Sequence, residues 1–249
     1  MAAARLQKAA EETAHAKTLP DLSGLKAHYS HEKACVLPSK VTATQLKGRE
    51  LDEQIARGAV TPRRHIAISG PQFLRGERGL TAAEKGTAMH LVMQYLPFDT
   101  PAEIPAVETV VADLLQRRLL SEQQAEALDC AKLAAFLASP LAQRIRSGRN
   151  LLREQRFALL VPASIYDPAI GGEEEMMLQG VVDCCFEEDG GLVIVDFKTD
   201  RIRSGEETQR AEVYRPQLEA YAHALGKVLG MNVKEKILYF FALNREVAL

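Results

Sequence analysis

Residues 177 to 198 read MLQGVVDCCF, EEDGG, LVIVDFK, two apolar runs of strand length joined by hairpin chemistry around Asp189 and Gly190. No other stretch constrains the chain as much, because it fixes two neighbouring strands and the residues they carry. Side chains alternate along a strand, so Leu192, Ile194, Asp196 and Lys198 share one face and Val193, Val195 and Phe197 share the other. Asp183 follows the apolar LQGVV on the preceding strand, and the hairpin lets its carboxylate converge with that of Asp196.

The hydrophobic period elsewhere says what surrounds this hairpin. Thr81 and Glu84 form a T-x-x-E capping box, Met89, Val92, Met93 and Leu96 recur at helical spacing, and Pro97 stops the helix. Further helices are predicted through Ser121 to Gly148, after which RFALLVPA reads as a strand. An amphipathic helix over 206–230 and a last strand, KILYFFAL, complete an α/β order without internal repeat: a mixed sheet flanked by helices. Ahead of this block, residues 2–17 are Ala/Lys/Glu-rich, with breaks at Pro20, Gly24 and Pro38. Residues 1–40 are therefore expected to form an N-terminal helical arm or linker, and 41–249 one domain. A short helix over Thr42 to Gly58 and a Pro/Gly/Arg-rich loop, TPRRHIAISGPQFLRGERG, are expected before Thr81.

A chain of 249 residues that is 47% hydrophobic can bury a sizeable core in one domain. Its net charge of -2 excludes coating nucleic acid through bulk positive charge, although 31 basic residues suffice to line one cleft. Cys35, Cys130, Cys184 and Cys185 form no C-x-x-C pair, and the adjacent two point to opposite strand faces, which argues against a disulfide framework or a zinc site. No apolar run approaches the roughly 20 residues a bilayer requires, and the N-terminus lacks a signal-peptide core. A reducing, cytoplasmic setting without membrane contact is expected.

In isolation, Asp196 and Lys198 read as a structural ion pair at a strand end. Asp183 changes that reading, because two carboxylates brought together repel and a divalent cation relieves them; hard oxygen ligands favour Mg²⁺ or Mn²⁺. On the following helix, Tyr214, Gln217 and Tyr221 lie at i, i+3 and i+7, opposite Leu218, Ala222, Leu225 and Leu229. Arg63, Arg64, Arg75, Arg78, Arg144, Arg146, Arg149, Arg201 and Arg203 either line a strand channel through phosphate contacts or are ordinary solvated surface.

Taken in order, G-x-x-M-H ending at His90, then Glu154, Q-G-x-x-D ending at Asp183, V-D-F-K-T-D around Asp196 and Lys198, and Q-x-x-x-Y from Gln217 to Tyr221 resemble the RecB-like nucleases of PD-(D/E)XK, restriction-endonuclease-like fold. The resemblance covers about residues 81–249. LTAAEKGTAMHLVMQYL and LPSKVTATQLKGRE are similar to the AddA-type branch, in which this block follows a helicase motor. No G-x-x-x-x-G-K-[ST] occurs here, so the resemblance implies a piece without the ATP-binding part, with residues 1–40 as the end of the upstream helicase region. It implies a Mg-dependent deoxyribonuclease of exonuclease type that cuts unwound, single-stranded DNA during recombinational repair of double-strand breaks, beside an AddB-type partner subunit. His90, Asp183 and Asp196 would hold Mg²⁺ or Mn²⁺, and Lys198 would stand beside the attacking water or the scissile phosphate. Glu154 would be an auxiliary catalytic or second-metal group, or a salt-bridge residue. Gln217 and Tyr221 would contact the DNA strand or support Lys198, with Tyr214 and Arg201 also turned to DNA. The cysteine spacing offers no iron-sulfur cluster. Two alternatives share these residues: an inactive nuclease-like module that only holds DNA or a partner, and a restriction-type endonuclease.

Overall fold

The computed structural model describes residues 35, 37–46, 80–167, 170 and 174–249. The arm expected over 1–17, most of the helix expected over 42–58 and the Pro/Gly/Arg-rich loop lie outside them. Among the described residues the order is β1 (Lys40–Thr42), α1 (Ala82–Tyr95), α2 (Ile104–Gln116), α3 (Glu122–Ala127), α4 (Cys130–Leu137), α5 (Pro140–Ser147), β2 (Arg149–Pro162), β3 (Glu175–Glu188), β4 (Gly191–Lys198), α6 (Glu207–Leu229), β5 (Val233–Phe240) and β6 (Arg245–Ala248). None of these helices is long and apolar enough to cross a membrane.

Local chemistry sets the element limits. The reciprocal Thr81–Glu84 box opens α1, a second box of Ser121 and Gln124 opens α3, and Asp129 and Ser139 cap α4 and α5. Gly230, at φ 66°, closes α6 in the left-handed conformation that ends many helices. Asp189 and Gly190 take φ 48° and 77°, the two positive values of a primed hairpin turn, so β3 and β4 are joined as the sequence implies.

Two features depart from the sequence reading. Thr42 ends a strand: Lys40–Thr42 pairs in parallel with Met177–Gln179, and reciprocal Thr42 and Gln45 hydrogen bonds then turn the chain into a 3-10 turn, Ala43–Leu46. The β-branched Val41 and Thr42 suit the strand, and the Thr42 side chain caps the 3-10 turn. KILYFFAL is not the last strand either. β5 stops at Phe240, Asn244 turns the chain at φ 51°, and Arg245–Ala248 folds back on β5 as β6.

The sheet is mixed. β2 pairs antiparallel with β3 from Arg149↔Glu187 to Pro162↔Glu175 and so occupies one whole edge of it. The other edge is divided, with β1 on Met177–Gln179 and β4 on Cys184–Glu188. Among the described residues, 180–183 have no ladder partner on that edge, so β1 and β4 part around a fork. Beyond β4 come parallel β5, reached through α6, and antiparallel β6.

Helices α1, α2, α4 and α5 cover one face against Cys184, Phe186, Val193, Val195 and Phe197, while α6 covers the other against Cys185, Leu192 and Ile194. The alternation read from LVIVDFK and from the adjacent cysteines therefore holds. Each such fully buried side chain contributes about 1.5–3 kcal/mol, which fixes the strands' faces against slippage.

One irregularity shapes the fork. Met176, Leu178 and Val182 face α6, yet Cys184 and Phe186 face the other layer; on β2, Phe157 and Val161 face α6, as does Leu152. Alternation slips by one residue on both strands, at Asp183 and at Glu154 opposite it. Glu154 takes φ 49° there, a conformation that costs a non-glycine residue about 1–3 kcal/mol and that gathers at functional sites.

Candidate active site

The fork draws its side chains from α1, β2, β3, β4 and α6. Asp183 Oδ2 accepts a hydrogen bond from the backbone N–H of Phe197 at 2.8 Å, where the β3–β4 ladder stops, and lies 3.3 Å from His90 Nδ1. His90 arrives on α1, whose close approach depends on Gly86: a Cβ there would stand 2.9 Å from Thr199 Oγ1. The far end of α1 is tied to β2 by Arg153. Its guanidinium donates to the carbonyls of Met93, Gln94 and Leu96 at 3.2, 3.2 and 2.7 Å and stacks 3.7 Å over the Phe98 ring. Glu154 follows directly, and donor atoms of His90, Glu154 and Asp183 lie within 4.8 Å of one another.

On the α6 side, Asp196 ends the apolar run of β4 and is 2% exposed. Its Oδ2 meets the Lys198 ammonium in an ion pair, and its Oδ1 lies 3.4 Å from Gln217 Nε2. Lys198 Nζ is also 3.4 Å from Gln217 Oε1 and 4.1 Å above the Tyr214 ring. Behind these, Gln217 Nε2 donates to the Tyr221 hydroxyl at 2.6 Å, and the Tyr214 hydroxyl donates to Asp200, which Arg210 also holds. Gly180 makes room for this layer, because a Cβ there would come within 2.6 Å of the Phe157 ring.

The charges act on one another. Burial first, and then the Asp183 charge, push the Asp196 carboxyl well above the usual carboxylate range against the pull of Lys198. Burial and Asp183 raise Glu154 in the same way. For His90, burial opposes the charged form, but its hydrogen bond to Asp183 and the charges of Asp183 and Asp196 outweigh burial and raise its pKa. The Asp183 charge thus favours protonation of Asp196, Glu154 and His90 alike, as expected where negative charge is gathered. Oxygen donors with one imidazole fit a hard divalent cation.

The structure brings His90, Glu154, Asp183, Asp196 and Lys198 to one fork. The donors drawn tightest together are His90, Glu154 and Asp183, with Asp196 beside them in the grip of Lys198 and Gln217. Tyr214, Gln217 and Tyr221 are only 2–3% exposed. The Tyr214 ring and the Gln217 amide flank the Lys198 ammonium, and Gln217 and Tyr221 line the groove described below. Arg201 is exposed. Arg144 is engaged in a two-pronged pair with Glu188 at 3.0 and 2.7 Å, and Arg146 donates to the carbonyls of Phe98 and Leu137, so both brace the fold. Arg63, Arg64, Arg75 and Arg78 lie outside the described residues. Sequence reasoning missed Arg153 and the Tyr214–Asp200–Arg210 chain, since nothing in their spacing separates them from surface residues.

A groove of about 650 Å³ is lined by His90, Asp183, Asp196, Lys198, Gln217 and Thr42, among others. A profile of the PD-(D/E)XK nuclease superfamily matches residues 57–247. The chain is 37% identical over 216 residues to the A-type subunit of the ATP-dependent helicase/nuclease of Thermoanaerobacter sp., an alignment covering 86% of this chain and 18% of the relative. Proteins of the same name from Acetivibrio thermocellus (37% over 220 residues, 86% and 17% covered) and Pelotomaculum thermopropionicum (38% over 231 residues, 89% and 18% covered) align similarly. The chain therefore spans less than a fifth of the length of these relatives.

Proposed function

The chain belongs to the PD-(D/E)XK nuclease superfamily, and from that premise we propose that it is the metal-dependent nuclease portion of an AddA-type helicase-nuclease, hydrolysing phosphodiester bonds of DNA that a motor elsewhere in the longer protein unwinds. One observation carries this reading: donor atoms of His90, Glu154 and Asp183 lie within 4.8 Å of one another, and His90, Asp183, Asp196 and Lys198 line a single groove. An inactive relative under no catalytic constraint has no reason to keep a left-handed Glu154 beside His90 and Asp183.

His90, Asp183 and Asp196, with Glu154 beside them, would hold Mg²⁺ or Mn²⁺. Such an ion, when bound, lowers the pKa of a water ligand and offsets charge on a phosphate oxygen. The protein's own groups do the rest. Lys198 is a fixed cation positioned to face charge accumulating on the phosphorus oxygens, and Asp196, Gln217 and the Tyr214 ring hold it there before substrate arrives. Asp183, anchored by the Phe197 N–H, fixes His90 in turn. The wider role proposed is exonucleolytic processing of unwound, single-stranded DNA in double-strand break repair, in the cytoplasm and beside an AddB-type partner.

The test is cleavage of end-labelled single-stranded and duplex DNA with Mg²⁺, with and without ATP. Single strands are expected to be cut with little sequence preference and without ATP, duplex to resist, and Asp196→Ala to be inactive. ATP-dependent cleavage, or equal activity in the variant, overturns the reading.

A further inference from the structure

His90 is the wall between two spaces. On one side is the groove that holds Asp183, Asp196 and Lys198; on the other, a cavity of about 860 Å³ lies between α1, the α3–α4 junction and the segment after β4. The metal and lysine roles described above leave this second space unused. Its lining carries three cations, Lys85, Lys132 and Arg201, beside the apolar Phe241 and Leu128. The lining also includes two carboxylates, and both are locally neutralised. Asp200 is held by Arg210 at 3.0 and 2.8 Å, and Asp129 pairs with Lys132 at 3.1 Å. Lys85 and Arg201 are exposed and form no ion pair among the described residues. The Lys132–Asp129 pair is exposed and three residues apart, so it holds its lysine weakly and can be exchanged.

Uncompensated cations beside an apolar surface, next to a catalytic groove that shares His90 as a lining residue, suit a flexible polyanion with flat apolar side groups. Resting on the nuclease reading, we propose that this cavity binds the stretch of single-stranded DNA flanking the scissile phosphate. Lys85 and Arg201 each take one backbone phosphate, Lys132 exchanges Asp129 for another, and the bases lie against the apolar lining. The strand thus runs past His90 from one space to the other, which places the cut beside a gripped segment. A domain of net charge -2 then needs no general basic surface, only these few contacts.

Binding of a fluorescein-labelled oligodeoxynucleotide is measured by anisotropy in chelator, so that no strand is cut, over a series of salt concentrations. The proteins compared are wild type, Lys85→Glu/Arg201→Glu and Lys227→Glu, the last an exposed lysine that lines neither space. All three substituted side chains are exposed, so folding is preserved. The double variant is expected to bind at least about tenfold more weakly, with the slope of log affinity against log salt shallower by about 1.4, twice the roughly 0.7 per single-strand phosphate contact. Lys227→Glu keeps the wild-type slope. If the double variant binds with wild-type affinity and slope while wild type still cuts the strand with Mg²⁺, the cavity assignment is overturned and the nuclease reading stands. If wild type neither binds nor cuts, both are overturned.

Discussion

At the scale of single residues, the site is a set of charges held before substrate arrives. Lys198 is the clearest case, because Asp196, Gln217 and the Tyr214 ring each limit where its ammonium can go. Replacing it with Gln keeps hydrogen-bonding capacity beside Asp196 but removes the cation. Lys198→Gln is expected to bind metal and DNA nearly as wild type while its single-turnover cleavage rate falls by about a hundredfold or more, the size of one lost transition-state stabiliser. Normal cleavage with lowered stability would instead mark Asp196–Lys198 as a structural ion pair. Asp183, Asp196 and Lys198 were legible in the sequence because strand alternation is a local property, whereas His90 was legible only through the resemblance carried by the ordered motifs. The part Glu154 plays was not, since a positive φ in a charged strand residue leaves no trace in residue type.

At the scale of elements, α1 and β2 must hold His90 and Glu154 in register. Arg153 does this from inside the protein by satisfying three carbonyls at the end of α1 that lack helical partners. Arg153→Met keeps much of the stem's packing on Phe98 but leaves those carbonyls without the guanidinium. Urea unfolding is expected to show a loss of about 1.5–3 kcal/mol, the range for hydrogen bonds to a charged group. An unchanged midpoint would show that the clamp contributes nothing. The helix caps, the Asp189–Gly190 turn and the limits of α6 were readable because each is fixed by neighbours in sequence. β6 was not readable, since Arg245–Ala248 is a four-residue strand that exists only through its pairing with β5.

At the scale of the molecule, the fork is a consequence of topology. β1 and β4 lie far apart in the chain, with five α-helices and two strands between them among the described residues, yet share one edge of β3, and no local pattern announces that arrangement. The sequence therefore disclosed the α/β order and the identity of the acidic residues, while the gap at 180–183 around which they gather belongs to the assembled sheet. The account's central claim is that this fork is a divalent-metal centre, and calorimetric titration of Mn²⁺ into the chain tests it most directly. Wild type is expected to give a saturable binding heat, and Asp183→Asn and Asp196→Asn, which keep side-chain volume and remove the charge, are each expected to weaken it at least about tenfold, equivalent to about 1.4 kcal/mol. Undiminished heat in both variants would contradict the claim.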